Sequence, residues 1–245
     1  MAELLSPHLA HKRDEAAVTD QDRTVTWAAL DDRINRWIHL LRGSGLSAGD
    51  RVAVLSGNRH EAFEAALACL HAGFTLVPVN WHLTASEIAY ILADSGSRAI
   101  IVDDERAAVA ADAVAGIDAP VKVVTGGQPV AGFAALEPLL AAAAATEPGD
   151  QCSGSVLLYT SGTSGRPKGV VTSLFSTGAP LAAIAGLLGV LGQVLSVPDD
   201  GRTLLVGPWY HSGQLFFSLF PLLRGSSLLV RRGFDAAELV ELIDR

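Results

Sequence analysis

The chain has 245 residues, of which 49% are hydrophobic and 18% charged, and its formal net charge is -8. This length is sufficient for one large domain or two small ones with ample core. The acidic balance excludes a general affinity for nucleic acid or anionic lipid, because that attraction requires a basic patch. The two cysteines, Cys69 and Cys152, lie far apart without metal-ligand spacing. This argues against a disulfide framework or zinc site and predicts a reduced, cytoplasmic location.

The first half of the chain alternates helix and strand patterns. The first 20 residues carry charges but no apolar core, so they do not form a signal peptide. Thr26 is placed to cap a helix with Leu30 and Ile34 on one face, and Thr84 with Glu87 predicts a capping box for another helix. Strands are predicted at 52–55, 74–79, 99–102 and 121–124, and a helix at 61–72. This alternation predicts an α/β fold of layered sheets with parallel strands, crossover βαβ units and flanking helices.

The second half continues the same alternation after a polar stretch at 147–150. We predict a subdomain junction there, which divides the chain into residues 1–150 and 151–245. Strands are predicted at 203–206 and 227–230 with a helix between them, and Asp235 with Glu238 is placed to cap a last helix. Because the chain ends within that helix, the sequence is expected to be a truncated product.

Residues 174–197 contain no charged side chain and match the length of a membrane span. Several glycines and hydroxyl residues dilute the stretch, and Pro180 would interrupt or begin a helix. We therefore predict a buried helix and no membrane span.

Residues 157–169 carry the strongest indication of function. An apolar β-run ends in hydroxyls and glycines, Lys168 follows, and a second β-run begins at once. Glycines allow backbone N–H groups to converge on an anion, hydroxyls add donors, and the lysine adds a compact charge. The loop is not a Walker A motif, because Pro167 precedes Lys168 and the chain continues as a strand. The pattern predicts a polyphosphate site in a hairpin, and the alternative is a flexible surface loop.

The segment from Tyr159 to Gly169, Tyr-Thr-Ser-Gly-Thr-Ser-Gly-Arg-Pro-Lys-Gly, resembles the phosphate-loop signature of the adenylate-forming superfamily. That superfamily includes acyl-CoA synthetases, aryl-CoA ligases, amino-acid adenylation domains and firefly luciferase. The resemblance continues at 26–30, 49–53, 72–74, 83–92 and 208–213. It identifies the chain as part of the large N-terminal domain of such an enzyme.

The resemblance implies that AMP is transferred from ATP to a carboxylate and that the acyl-adenylate is then attacked by the thiol of CoA or of a carrier protein. Mg²⁺ is expected because it bridges phosphate oxygens, and Thr160 is the candidate to help hold it. The residues implied to bind the β- and γ-phosphates are Thr160, Ser161, Gly162, Thr163, Ser164, Gly165 and Lys168.

A second candidate site follows the strand at 203–206 and consists of Trp209, Tyr210, His211 and Gly213. By itself, an isolated histidine is more often a structural residue. In the resemblance, His211 matches the residue beside the acyl-carboxylate pocket, where it positions or gates the substrate. Amino-acid-activating members carry an aspartate there, so His211 favours a fatty, aryl or other amine-free acid. Leu174 is a departure, because many relatives have a histidine at that place.

Several alternatives stay open at this level. The other histidines show no metal spacing and are interpreted as surface or core residues. The later motifs of the family are absent from the sequence, so we expect the isolated chain to bind ATP weakly and to adenylate poorly. A non-catalytic nucleotide-binding or interaction module is the main alternative, and a homodimer is also considered. A further alternative is a protein anchored in a membrane through residues 174–197.

Overall fold

The computed structural model describes residues 2–21, 23–127, 129–160 and 166–244. Its helices are α1 (Ser6–Lys12), α2 (Trp27–Gly43), α3 (His60–Ala72), α4 (Ala85–Ser95), α5 (Ala107–Ala113), α6 (Leu136–Ala142), α7 (Leu181–Val194), α8 (Ser212–Leu223) and α9 (Ala236–Asp244). Its strands are β1 (Ala16–Thr19), β2 (Thr24–Thr26), β3 (Arg51–Leu55), β4 (Thr75–Pro78), β5 (Ser97–Asp103), β6 (Val121–Thr125), β7 (Ala134–Ala135), β8 (Ser155–Thr160), β9 (Lys168–Val171), β10 (Arg202–Leu205) and β11 (Ser227–Val230). The predicted elements all occur within a few residues of their expected positions. The elements α1, α5, β1, β2 and β7 were not predicted.

Local side-chain chemistry sets the starts of two helices, as the sequence predicts. The Thr26 hydroxyl accepts a hydrogen bond from the Ala29 amide at 3.2 Å and caps α2. At α4, the Thr84 hydroxyl accepts from the Glu87 amide at 3.4 Å, and the Glu87 carboxylate accepts from the Thr84 amide at 2.8 Å. This reciprocal pair is the predicted capping box, and it defines the start of α4.

The described residues form a seven-stranded sheet in the order β7-β6-β5-β3-β4-β8-β9. Its neighbouring strands are parallel except for β8 and β9, which pair antiparallel with Tyr159 opposite Gly169 and Thr160 opposite Lys168. The predicted strand-loop-strand hairpin therefore forms one edge of this sheet.

The two faces of the seven-stranded sheet bury separate hydrophobic clusters, because successive side chains of a strand point to opposite sides. Val52 and Val54 belong to one cluster, and Ala53 and Leu55 to the other. The first cluster also contains Val18 of β1 and Leu228 of β11, so it joins this sheet to the second one. Helix α3 lies within it, and all 13 of its residues are buried.

The second sheet has four strands in the order β10-β11-β1-β2 among the described residues. Strand β1 pairs parallel with β11, with Val18 opposite Leu228, and antiparallel with β2. Both sheets take strands from each side of residue 150, since β8 and β9 complete the first sheet and β10 and β11 complete the second. The division predicted at residue 150 therefore does not separate the two sheets.

Helix α7 corrects the prediction of a buried helix in 174–197. Only four of its residues are buried, at positions three or four apart, and they are Leu181, Ile184, Leu188 and Gly192. Val190 is 59% exposed and Val194 is 73% exposed. Both faces of the helix are apolar in sequence. The helix packs against its neighbours on one face only, so the other face stays exposed. Within the described ranges, no helix is long and apolar enough to cross a membrane.

The buried His71 of α3 holds the N-terminal segment against the core. His71 is fully buried, its Nδ1 lies 2.7 Å from the Leu67 carbonyl oxygen, and its Nε2 lies 3.2 Å from the Leu4 amide nitrogen. Because an amide N–H can only donate, Nε2 accepts and Nδ1 carries the proton. Burial lowers the pKa of His71 to about 4, so the neutral ring is the form that fits.

Acidification is expected to destabilise the protein through His71. The folded-state pKa of about 4 lies below the ordinary value of 6.5. Between these values the unfolded chain binds more protons, so stability is lost as the pH falls. The loss amounts to about 3 kcal/mol by about pH 4. We expect the free energy of unfolding, measured with urea from about pH 7 to about pH 4, to fall with this slope in the wild type. In His71→Gln it is expected to fall less steeply. Equal slopes in the two proteins would contradict the assignment.

Candidate active site

A cavity of about 360 Å³ opens where the neighbouring parallel strands β4 and β8 end. The carboxyl ends of parallel strands are the usual ligand-binding edge of an α/β sheet. Pro167 just before β9, Ile91 of helix α4 and residues 210–212 at the start of α8 complete the walls. The residues that line the cavity are Pro78, Asn80, Leu83, Ile91, Leu158, Tyr159, Thr160, Pro167, Tyr210, His211 and Ser212.

The hairpin places two predicted phosphate-binding residues side by side. Thr160 lines the cavity, and its hydroxyl lies 3.5 Å from the Lys168 carbonyl oxygen across the strand pair. Lys168 is exposed. The other two lysines are occupied, since Lys12 binds Asp200 and Lys122 binds the Ile117 carbonyl. The described part of the chain offers no partner to the Lys168 ammonium group, so its charge is available to an anion.

The remaining predicted phosphate-binding residues are Ser161, Gly162, Thr163, Ser164 and Gly165, and they lie outside the described residues. Their roles stay predictions. Thr160 and Lys168 mark the two strand ends on either side of them.

The segment before α8 is fixed by a hydrogen-bonded asparagine. Asn58 accepts from the Trp209 amide at 3.0 Å, and its side-chain nitrogen donates to the Gly207 and Arg231 carbonyls, each at 2.8 Å. The Trp209 indole is fully buried and donates to the Ser56 carbonyl at 2.7 Å. Such a buried N–H needs a partner, and here the partner is backbone. Trp209 therefore supports the segment from its buried side, and it does not line the cavity.

Tyr210 and His211 face the cavity, as the sequence predicts for the second site. Their ring centroids are 4.4 Å apart, and Trp81 meets the Tyr210 ring edge-on at 4.7 Å. Desolvation raises the pKa of Tyr210, so its hydroxyl stays a neutral donor. The His211 imidazole is exposed and makes no hydrogen bond within the described residues. Gly213 is exposed two residues further along, outside the lining residues.

Two residues of α4 contact the hairpin and were missed by the sequence analysis. The Tyr159 hydroxyl donates to the Asp94 carboxylate at 2.7 Å, and the Tyr90 hydroxyl donates to the Pro167 carbonyl at 3.1 Å. The Arg166 guanidinium lies over the Tyr90 ring, 5.2 Å from its centroid. The available signal was their spacing, because residues four apart on a helix share one face. Desolvation and the bond to Asp94 raise the pKa of Tyr159.

A buried group of titratable residues lies elsewhere, at the start of α3. Asp20, His60 and Glu61 bring one ligand atom each within metal-binding range. However, the Asp20 carboxylate accepts from His60 Nδ1 at 2.6 Å and from the His60 amide at 3.0 Å. Because Nδ1 carries a proton in that bond, it has no lone pair for a metal. We interpret the group as an ion pair that holds the start of α3.

Comparison with known proteins defines the class. The family model described as AMP-binding enzyme matches residues 6–245, so the chain belongs to the AMP-binding enzyme family. This confirms the resemblance to adenylate-forming enzymes and the predicted fold class.

Two curated relatives are similar along most of the chain. The fatty acid–[acyl-carrier-protein] ligase ScoC of Streptomyces coeruleorubidus is 34% identical over 252 residues, covering 99% of this chain and 46% of the relative. The long-chain-fatty-acid–CoA ligase FadD13 of Mycobacterium tuberculosis is 33% identical over 225 residues, covering 91% and 42%. The chain thus spans about half the length of the curated relatives it matches.

Solved structures show the same fold. The N-terminal domain of FACL13 from Mycobacterium tuberculosis has a TM-score of 0.78 at 29% identity, covering 99% of this chain and 59% of that one. The anthranilate CoA ligase AuaEII, in complex with anthranoyl-AMP, has a TM-score of 0.82 at 22% identity, covering 98% and 46%. The second similarity concerns the fold alone.

Proposed function

We propose that this chain belongs to a ligase that uses ATP to convert a carboxylic acid into an acyl-adenylate and then transfers the acyl group to a thiol. Family membership and the named ligase relatives support this assignment. The observation that carries it is the hairpin, which puts Thr160 in the lining of the cavity that Tyr210 and His211 also line. It sets Lys168, which has no partner among the described residues, directly across the strand pair from Thr160. In this proposal, the phosphate site and the acid site are adjacent.

The chemistry requires two anions to meet. A carboxylate must approach the α-phosphorus of ATP, and their repulsion has to be neutralised before the bond to AMP forms and pyrophosphate leaves. In the proposal, Lys168 and the Thr160 hydroxyl bind the β- and γ-phosphates together with the loop residues 161–165. Fixed donors of this kind help most where negative charge develops, because they need no reorganisation during the reaction.

The described lining residues do not by themselves form a magnesium site. They supply hydroxyl, amide and carbonyl oxygens but no carboxylate, whereas protein-bound Mg²⁺ is commonly held through one or two carboxylates and substrate phosphates. The predicted role of Thr160 would contribute one neutral oxygen. No step of the proposed reaction is assigned to the ion.

The cavity favours an acid without an amino group. Its lining includes the apolar side chains of Leu83, Ile91 and Leu158 and the aromatic ring of Tyr210. No acidic side chain is present among the described lining residues to pair with a substrate ammonium group. A buried unpaired ammonium is costly, so fatty and aryl acids fit better. We assign His211 to positioning the substrate carboxylate, since its ring is free of hydrogen bonds in the described structure.

The thiol is the less defined partner. One relative is named for an acyl-carrier protein and another for CoA, and we propose CoA as the acceptor with a carrier-protein thiol as the alternative. A reduced cytoplasmic setting is part of the proposal and agrees with two free cysteines, Cys69 and Cys152. The homodimer stays a prediction of the sequence.

The test is acid-dependent exchange of labelled pyrophosphate into ATP by the complete gene product, with a panel of fatty, aryl and amino acids. Exchange driven by fatty or aryl acids and absent with amino acids is expected. Residues 1–245 alone are expected to exchange poorly, because the relatives are about twice as long. Nucleotide binding without exchange by any acid would instead support a non-catalytic nucleotide-binding module.

A further inference from the structure

Helix α4 contacts the phosphate hairpin through one face, at β8 and at the residue just before β9. Tyr90 and Asp94 are one helical turn apart, so their side chains lie above one another. Asp94 accepts a hydrogen bond from the Tyr159 hydroxyl at 2.7 Å, next to Thr160. Tyr90 donates to the Pro167 carbonyl at 3.1 Å, next to Lys168. Each contact therefore falls one residue away from a candidate phosphate-binding residue.

We propose that Tyr90 and Asp94 are positioning residues. They hold Thr160 and Lys168 where these two residues can bind the nucleotide phosphates at the cavity. The proposal rests on the proposed function, because it deepens the role of the same site. Neither residue is assigned a contact with the nucleotide.

The hairpin needs such an attachment because β9 is an edge strand. It pairs with β8 and with no other described strand, and all four of its residues are exposed. An exposed edge strand has few packing contacts that would fix its position. The Tyr90 bond to Pro167 and the Arg166 guanidinium above the Tyr90 ring add contacts just before β9 begins.

The other strand of the hairpin, β8, is fixed through the ring of Tyr159. Gly169 lies directly across the strand pair, and a Cβ there would come within 3.2 Å of the ring carbon that carries the hydroxyl. The absence of a side chain lets the ring lie over β9 with its hydroxyl directed to Asp94. Bonds to an ionised carboxylate are among the stronger hydrogen bonds in proteins, so the contact resists displacement of β8.

The test measures exchange kinetics and stability of the complete protein carrying Asp94→Ala, Tyr159→Phe and both changes. Each single change is expected to lower kcat/KM for ATP about tenfold. The double variant is expected to have a kcat/KM for ATP no lower than that of the more impaired single variant, because both changes remove the same bond. The KM for the acid and the Tm are expected to stay near those of the wild type. Asp94→Asn, which keeps an oxygen acceptor, is expected to recover part of the loss.

Tyr90→Phe removes the second contact, and its effect is expected to add to that of Tyr159→Phe, since the two bonds are separate. The matched control is Asp112→Ala, an exposed aspartate of α5, the helix that packs against α4. Asp112 makes no hydrogen bond or ion pair with the described part of the hairpin. It is expected to leave ATP kinetics unchanged.

Three outcomes overturn the proposal without touching the proposed function. In the first, the variants have the same kcat/KM for ATP as an active wild type. In the second, the KM for the acid rises in step with the KM for ATP. In the third, the loss of kcat/KM follows a fall in Tm. If the wild type shows no exchange with any acid, the proposed function fails on its own. The same variants are then compared by equilibrium binding of a fluorescent ATP analogue. An unchanged affinity, or no binding by the wild type, rejects the positioning role as well.

Discussion

Replacing Gly154 by alanine is expected to lower the free energy of unfolding by about 3 kcal/mol or more, as in strongly overpacked cores. A Cβ at this position would lie 2.2 Å from the Cys69 carbonyl oxygen and 2.3 Å from that of Phe74. Both atoms belong to the backbone, so no side-chain rotation can relieve the contact. The Gly154 amide also donates to the Leu70 carbonyl at 3.1 Å, which fixes the chain against the end of α3.

The position matters because β8 begins at the next residue. Ser155 donates its amide to the Phe74 carbonyl at 3.0 Å and thereby starts the pairing of β8 with β4. A shift at Gly154 would displace the strand that carries Tyr159 and Thr160. We therefore expect loss of nucleotide affinity in any Gly154→Ala protein that still folds.

Gly149→Ala provides the matched control. No atom lies within 4 Å of a Cβ built there, and substitutions at such open sites usually change stability by about 0.5 kcal/mol or less. Urea unfolding of the two variants beside the wild type measures the difference. A Gly154→Ala protein as stable as Gly149→Ala would show that the backbone around α3 yields to the added methyl group.

Lys168→Ala is expected to lower kcat/KM for ATP about 100-fold in the complete protein, the usual effect of removing one group that stabilises developing charge. The ammonium group is unpaired within the described structure, and Lys168 lies directly across the strand pair from Thr160, which lines the cavity. Because Lys168 is exposed, the change should leave the Tm within a few degrees of the wild type. Pyrophosphate exchange at varied ATP concentration is the measurement.

The chain offers a suitable control in Lys122→Ala. Lys122 lies on β6 of the same sheet and donates to the Ile117 carbonyl at 2.9 Å, away from the cavity. It is expected to keep full exchange activity. If Lys168→Ala retained the nucleotide kinetics of Lys122→Ala, the hairpin would no longer be the candidate phosphate site, and the proposed function would lose its main support.

Local signals in the sequence were sufficient for the hairpin and for most of the elements, but not for α1, α5, β1, β2 and β7. Thr26 and the pair Thr84 and Glu87 define helix starts through bonds that span three residues, and these bonds form as expected. The antiparallel pairing of β8 with β9 follows from two β-runs separated by a short polar loop. The predicted placement of His211 beside a cavity came from a family resemblance, and the cavity lies there.

Long-range pairing was beyond local pattern. Strand β1 lies beside β11, about 210 residues away, and no periodicity within either strand specifies that partner. The same limit explains the error in α7. Both of its faces are apolar, so the sequence predicted full burial, whereas the tertiary structure covers one face and leaves Val190 and Val194 exposed.

By itself, the sequence determined the α/β class, the capped helices and the hairpin with its lysine, because each depends on residues within one turn or one strand pair. Only the tertiary structure decided that Tyr90 and Asp94 contact that hairpin, and that Trp209 supports the cavity from below. These contacts join residues 65 to 153 positions apart in the chain. Such contacts are set by the order of strands in the sheets, which no single segment encodes.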